Sequence, residues 1–468
     1  MGSMAKRDTH NPSATMNLKP IISESEVLKR TRMRYRMHQV TENSVIAAGV
    51  MVLATLAAVL VANTPAADAV QTVMQWPVEL RLGDLVGKLS FESCVNDFLM
   101  AIFFLEVGIE LKYEMVVGHL RYPRQAMVPM LAAVGGVAVP AIIFTCPNWG
   151  GASHGWAVPI ATDIAFALGV MSLAGERVVP ATKVFFQTLA IADDILAIVV
   201  LALFYGQSPN IAWCAASGIV VVVLAWLNHA KVYSLKPYLI IGFALWVCMY
   251  NSGIHSTLAG VVLALTLPVK SDVKLLSLSD WLKGQSRELD ETYDEDYAVL
   301  GQREFTDSTY QIERILHRVT PPLQRAQRYF STATNFVILP LFAFVNAQVR
   351  LVGVDMAAVV SSPITRGIYF GAVLGKPIGI IGVTLLLEKL GFARLPREMD
   401  TVQVVTMGLM GGVGFTMSIL LSNLAFAEPE QVLAAKCAIM AASVTAAISG
   451  LAFLHIADAV RGSRRSRV

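Results

Sequence analysis

The chain has 468 residues, with 37 Lys and Arg against 34 Asp and Glu and a net charge of +3. Hydrophobic residues make up 55% of it and charged residues only 15%, against about 25% charged in soluble domains. Length alone suggests roughly three soluble domains, but this composition leaves them too little polar surface. It likewise excludes intrinsic disorder and a strongly basic nucleic-acid binder, so most of the chain has to sit in lipid.

Residues 1–43 have no apolar core, so no cleavable signal peptide is expected. They carry Lys29, Arg30, Arg32, Arg34 and Arg36 just before the first apolar run, which assigns them to the cytoplasm as an N-terminal tail. A membrane span needs about 20 mostly apolar residues. Such runs lie at 44–62, 95–111, 125–145, 156–174, 180–205, 211–228, 236–252, 255–269, 327–348, 366–387, 401–423 and 432–456. The expected fold is therefore an all-α polytopic membrane protein of about twelve transmembrane helices. Eight of them fall in 44–269 and four in 327–456. The short loops assigned inside, around Lys112, Arg121, Arg177, Lys231 and Arg394, hold about twice the Lys and Arg of those assigned outside. An even number of spans returns the basic tail 457–468 to the cytoplasm, where its arginines belong.

Two loops stand out. The extracytoplasmic loop 63–94 contains Trp76–Glu92, where Val78, Leu80 and Leu82 alternate with Glu79, Arg81 and Gly83. That period of two fits a short β-hairpin, with an irregular loop as the alternative. The inside loop 270–326 is the one large polar insert. Its cluster of Asp290, Glu291, Asp294, Glu295 and Asp296 points to a partly disordered cytoplasmic segment. Tyr310–Arg318 has the spacing of an amphipathic helix. The five cysteines (Cys94, Cys146, Cys214, Cys248 and Cys437) are scattered with no CxxC, so neither a disulfide framework nor a thiolate metal site is expected.

Four ionisable residues fall near mid-span: Asp163, Asp193, Asp194 and Lys376. Each costs at least about 2.5–3.5 kcal/mol at the bilayer centre unless partnered. Adjacent helical residues point about 100° apart, so Asp193 and Asp194 cannot face one way. One can face a water-filled site while the other meets a neighbouring helix. Lys376 is the natural counter-ion, and pairing keeps both charges in place. The plain alternative is a structural salt bridge, but three acids exceed one base. Carboxylates in one cavity suit a hard cation and also suit protons. The two compete for the same oxygens, which is sufficient for exchange if the site opens to one side at a time.

Interrupted spans at matching positions of two halves mark the binding site of inverted-repeat transporters. Spans three to five and ten to twelve are the candidates here. The fourth contains Pro159 through Asp163, and the eleventh contains Gly408, Gly411, Gly412 and Gly414. Pro and clustered Gly weaken a helix interior. The free backbone groups of a break are then offset by an acid at the positive ends and a Lys at the negative ends. For the glycines, tight helix packing is the competing explanation.

Several segments in the right order resemble the NhaA sodium/proton antiporter family. They are Ala161–Val170, Leu189–Asp194, Leu374–Pro377, Pro340–Phe344 with Asn346-Ala347, Gly412–Ile419, and Asn96-Asp97 through Lys112. NhaA is itself a standard example of the repeat rule just applied, so that agreement is not independent. The similarity runs from about residue 44 to 455, apart from the 270–326 insert.

The resemblance implies an inverted repeat with crossed, broken fourth and eleventh helices. It also implies electrogenic exchange of Na+ or Li+ against protons, activated by rising pH. Asp193 and Asp194 would bind the cation (Na+) and protons, Lys376 would pair with Asp193, and Thr162 and Asp163 would line the site. Glu110, Lys112 and Glu114 match a pH-sensing stretch, with ordinary helix-end charge as the alternative. The hairpin at 76–92 looks like a homodimer contact. The implied partners are membrane lipid and a second copy, with no nucleic acid and no cofactor beyond the transported ions. The location is the bacterial inner membrane with both termini cytoplasmic, and the protein is a secondary transporter, not an enzyme. An intramembrane aspartyl protease would need its acids on different spans and a GxGD motif, and a channel would only dissipate a gradient. A sodium-coupled symporter of related fold is the alternative.

Overall fold

Helices dominate because a backbone in lipid must satisfy its own hydrogen bonds. The computed structural model describes residues 44–82, 85–206, 209–271, 273–392, 395–396 and 398–465. The expectations for the tail 1–43 lie outside these residues. The chain opens with α1 (Ser44–Ala62) and the antiparallel pair β1 (Pro77–Leu82) and β2 (Leu85–Ser90). It continues through α2 (Met100–Val116), α3 (Pro123–Asn148), a 3-10 segment at Ser153–Ile160, and α4 (Ile164–Leu173). Then come α5 (Pro180–Phe204), α6 (Ile211–His229), α7 (Leu235–Ser252) and α8 (Leu258–Thr266). After α9 (Leu275–Thr292) and α10 (Arg303–Val319) follow α11 (Pro322–Asn346), α12 (Pro363–Lys389), α13 (Thr401–Met410), α14 (Phe415–Ala425) and α15 (Pro429–Arg465).

Among the described residues, eight helices are long and apolar enough to cross a membrane, or nine if the bent pair α13 and α14 counts as one span. The sequence reading of twelve also counts α2, α7 and α8. Of these, α2 carries Glu106, Glu110, Lys112 and Glu114, and α8 has only nine residues, about 14 Å of helix.

The polarity of the bundle is inside out. Leu53, Leu56, Leu60, Ile219, Val222 and Trp226 are exposed, while Thr162, Asp163, Asp193, Asp194 and Lys376 are buried. That is the distribution a lipid solvent selects. α6 is the outermost span, with only 11% of its apolar window buried.

Two close helix pairs frame the interior. α3 and α12 touch backbone to backbone at Gly135 and Gly379, where a Cβ on Gly379 would collide with the Gly135 carbonyl. α2 and α8 do the same at Gly108 and Gly260. A Cβ on Gly260 would lie 2.6 Å from the Leu105 nitrogen, and one on Gly108 2.7 Å from Ala264 Cβ. Small residues let helices approach where lipid supplies no hydrophobic drive between them.

The hairpin exists as a backbone feature: β1 and β2 pair from Pro77 opposite Ser90 to Leu82 opposite Leu85. Within segment 270–326, α9 and α10 fold back on each other. Ser308 donates to Glu288 Oε1 at 3.0 Å, and the Tyr293 and Phe305 rings sit 5.2 Å apart. The Gln302 amide closes the turn on the Asp294 and Tyr297 carbonyls at 2.6 and 2.8 Å. Average composition concealed this, because Phe305, Ile312, Ile315 and Val319 make one half-buried stripe on an otherwise polar helix. The expected tail from 457 is instead helical as far as Arg465.

Replacing Gly379 with Ala should push α3 and α12 apart at a cost of about 1–3 kcal/mol. Thermal unfolding of the detergent-purified protein should show a lowered midpoint, and an unchanged midpoint would mean the contact is not tight.

Candidate functional site

The site forms where two interrupted helices meet. In the first, Pro159 lies in the 3-10 segment, which stops at Ile160. Ala161–Asp163 then run extended before α4 begins. In the second, α13 stops at Met410 and α14 restarts at Phe415 after a 42° bend.

The breaks bond to each other. The Asp163 N–H donates to the Val413 carbonyl at 2.8 Å. The Asp163 carboxylate caps both restarting helices. Oδ1 accepts from the Phe166 N–H of α4 at 3.0 Å, and Oδ2 accepts from the Thr416 N–H at 3.1 Å and its hydroxyl at 2.5 Å in α14. An acid at two helix N-termini is where the peptide dipoles favour it.

The break glycines keep ordinary negative φ at Gly411 and Gly414, so freedom of φ is not their use there. They answer crowding. A Cβ on Gly411 would lie 2.6 Å from Ile380 Cδ1, one on Gly412 2.6 Å from the Ala372 carbonyl, and one on Gly414 2.5 Å from the Ala161 carbonyl. The packing explanation and the break explanation hold together at these positions.

Lys376 fills the negative side of the crossing. Its three N–H bonds go to the Ile160 carbonyl at the end of the 3-10 segment, to Thr162 Oγ1, and to Asp193 Oδ2 at 2.6 Å. The Thr162 hydroxyl in turn donates to Asp193 Oδ2 at 2.6 Å. Lys376 is 0% exposed and Asp193 2%. A buried ammonium is tolerable only with such complete donor use.

Asp194, next along α5, turns elsewhere. It is 2% exposed, and its Oδ1 has no protein partner. It lines a cavity of about 260 Å³ together with Thr162, Asp163, Glu106, Glu110 and Gln187. Asp193 is not in that lining, as the divergence of neighbouring helical residues requires. The 100° between neighbours on α5 separates an ion-paired carboxylate from an open one. Among the described residues, no three His, Cys, Asp or Glu side chains form a metal-binding group. What surrounds Asp194 is carboxylate and hydroxyl oxygen, a donor set for hard cations.

The other predicted residues divide. Glu110 lines the cavity and accepts from Gln187 Nε2 at 2.7 Å. Lys112 is turned to the end of α8, where it donates to the Leu265 and Leu267 carbonyls at 2.6 Å each. It acts there as a helix C-cap. Glu114 is not in the cavity lining.

Sequence reasoning missed Thr416 and Gln187 as functional neighbours. Gln187 had a signal, since it precedes Asp194 by seven residues and so shares its face. It also missed the buried amide chain Asn423 to Asn346 to Asn96, with bonds of 2.7 and 2.6 Å. His255 bonds the Tyr205 carbonyl at 2.6 Å.

Residues 38–454 match the family model described as Na+/H+ antiporter 1. The chain belongs to that family. Among its relatives is Na(+)/H(+) antiporter NhaA 1 of Saccharophagus degradans, 36% identical over 90% of both chains. Na(+)/H(+) antiporter NhaA of Dichelobacter nodosus is 37% identical over 88% of this chain and 90% of its own. Na(+)/H(+) antiporter NhaA of Helicobacter pylori is 38% identical over 86% and 91%. This chain is thus a polytopic membrane protein of a family of transporters.

Within this family member, Asp193→Asn should strand a buried ammonium and cost about 3–5 kcal/mol. Lys376→Met should strand a carboxylate. The double variant should recover much of the loss, because neither charge is then left alone. Unfolding midpoints of the two single variants and the double would reveal it; simple additivity would mean the two charges are uncoupled.

Proposed function

We propose that the chain is an electrogenic, pH-activated antiporter that extrudes Na+ or Li+ in exchange for protons across the bacterial inner membrane. One observation carries this reading. Of two adjacent buried carboxylates, Asp193 is ion-paired to Lys376 while Asp194 presents an unpartnered oxygen to a cavity. Asp194 is the exchanging group: it holds either a proton or a cation. Thr162 and Asp163 line the same cavity and bound the site by the two breaks.

The Asp193–Lys376 pair is the second titrating unit. When a cation draws Asp193 towards Asp194, Lys376 loses its counter-ion, and a buried ammonium without one releases its proton. One cation then displaces more than one proton, so net charge moves. Alternating access comes from the crossed breaks, whose short half-helices shift while the close α3–α12 contact stays packed.

Acid pH keeps Asp194 protonated and excludes the cation, so the exchange rate rises as pH rises through its titration. The symporter alternative has less support. A cavity of about 260 Å³ falls below the roughly 300–1,000 Å³ usual for small organic ligands.

The termini are cytoplasmic in this proposal, as the Lys and Arg bias requires, and lipid covers the exposed apolar flanks. The β1–β2 hairpin, within 76–92, joins two copies. Deleting it should convert a detergent-solubilised dimer to a monomer on size-exclusion chromatography with light scattering; a monomeric parent would remove the hairpin's role.

The decisive experiment is proton release from acid-loaded proteoliposomes on adding Na+ across a pH series. The parent should show Na+-driven release that grows with pH, and Asp194→Asn should lose at least about 99% of it, since the exchanging carboxylate cannot be replaced by an amide. A parent rate flat from acid to alkaline pH would overturn pH activation, and an active Asp194→Asn would overturn the site.

A further inference from the structure

The cavity contains one more carboxylate than the exchange reading uses. Glu106 lies mid-way along α2, and its Oε2 is buried with no protein partner. A carboxylate inside a span costs several kcal/mol unless something offsets it, so an unanswered one needs an occupant.

The other acids of the cavity are accounted for. Asp163 is held by two N–H groups and the Thr416 hydroxyl, and Glu110 by Gln187. Only Asp194 and Glu106 present a buried carboxylate oxygen to the cavity without a protein donor. The Thr334 hydroxyl, in a π-helical turn of α11, also lines the cavity and is the neutral oxygen beside Glu106.

The charges facing Glu106 can be taken helix by helix. α2 supplies Glu110, α5 supplies Asp194, and the segment entering α4 supplies Asp163. The lining residues of α1, α11 and α14 include Ala47, Gln327, Ser331, Thr334, Asn335 and Thr416, all uncharged. No base lines the cavity; Lys376 and Lys112 are engaged outside it. The lining is therefore an acid-only surface, which concentrates cations and repels anions.

The levels can be counted from the Glu110–Gln187 hydrogen bond. Glu106 is four residues along α2, about 6 Å, and Asp194 seven along α5, about 10 Å. Glu106 thus stands between the Glu110 level and Asp194.

We propose that Glu106, with the Thr334 hydroxyl, forms a loading station that holds the entering cation before it passes to Asp194. Glu106 therefore sets the apparent cation affinity. This rests on the exchange reading above and deepens it.

The test measures Na+-driven proton release in proteoliposomes, over a range of Na+ and pH, for the parent, Glu106→Gln, Glu106→Asp and Thr334→Val. Glu106→Gln should raise the half-saturating Na+ concentration roughly tenfold, about 1.4 kcal/mol, and lower the maximal rate much less. Glu106→Asp should restore most of the parent affinity. Thr334→Val should raise the half-saturating concentration in the same direction by a smaller factor, and it tests the station even if Glu106→Gln fails to insert. Parent-like half-saturation in both Glu106→Gln and Thr334→Val would overturn the station. So would a fall in maximal rate alone, which would make Glu106 a structural support. A parent without Na+-driven release would instead sink the exchange reading itself, so the two failures are distinguishable.

Discussion

The structure depends on one buried ammonium. Lys376 donates to a helix-end carbonyl, a hydroxyl and a carboxylate at once, and each partner comes from a different constraint. The Ile160 carbonyl exists as a free acceptor only because the fourth span is broken. Thr162 reaches the ammonium only because the chain runs extended after that break. Asp193 finds its buried ion-pair partner in Lys376. Take away any one, and a polar group is left unanswered at the least forgiving depth of the membrane.

The second break is tied to the first through Asp163, which caps helices on both sides of the crossing. The two interrupted spans therefore satisfy each other's orphan backbone groups. The positive ends face a carboxylate and one negative end faces the ammonium, as peptide dipoles require. Close glycine contacts hold the flanking helices near enough for these bonds to form. Such an arrangement is compact, yet it contains few continuous turns of helix at its centre.

Much of this was legible without coordinates. The mid-span Asp193, Asp194 and Lys376, the Pro159–Asp163 interruption and the glycine run at 411–414 were visible because charges, Pro and clustered Gly are expensive inside an apolar helix. The helical period alone required the two aspartates to diverge. The helix pair of the 270–326 insert was not legible, because charge density masks the single apolar stripe of α10. Lys112 was placed with the sensing acids by its neighbours in sequence, yet its side chain ends on the carbonyls of α8. Gln187 was overlooked because a neutral amide in an apolar run costs less than a charge and draws less notice.

The sequence by itself determined that the chain lives in lipid, that four charged groups lie inside it, and that two spans carry residues that weaken a helix interior. Each follows from local cost: transfer free energy, helix period and backbone hydrogen bonding act on residues near one another in the chain. Only the tertiary structure decided which carboxylate is paired and which is open, that Asp163 joins both breaks, and that Glu106 shares the cavity of Asp194. Those facts depend on contacts between helices far apart in sequence, where direction and distance, and not composition, select the partner.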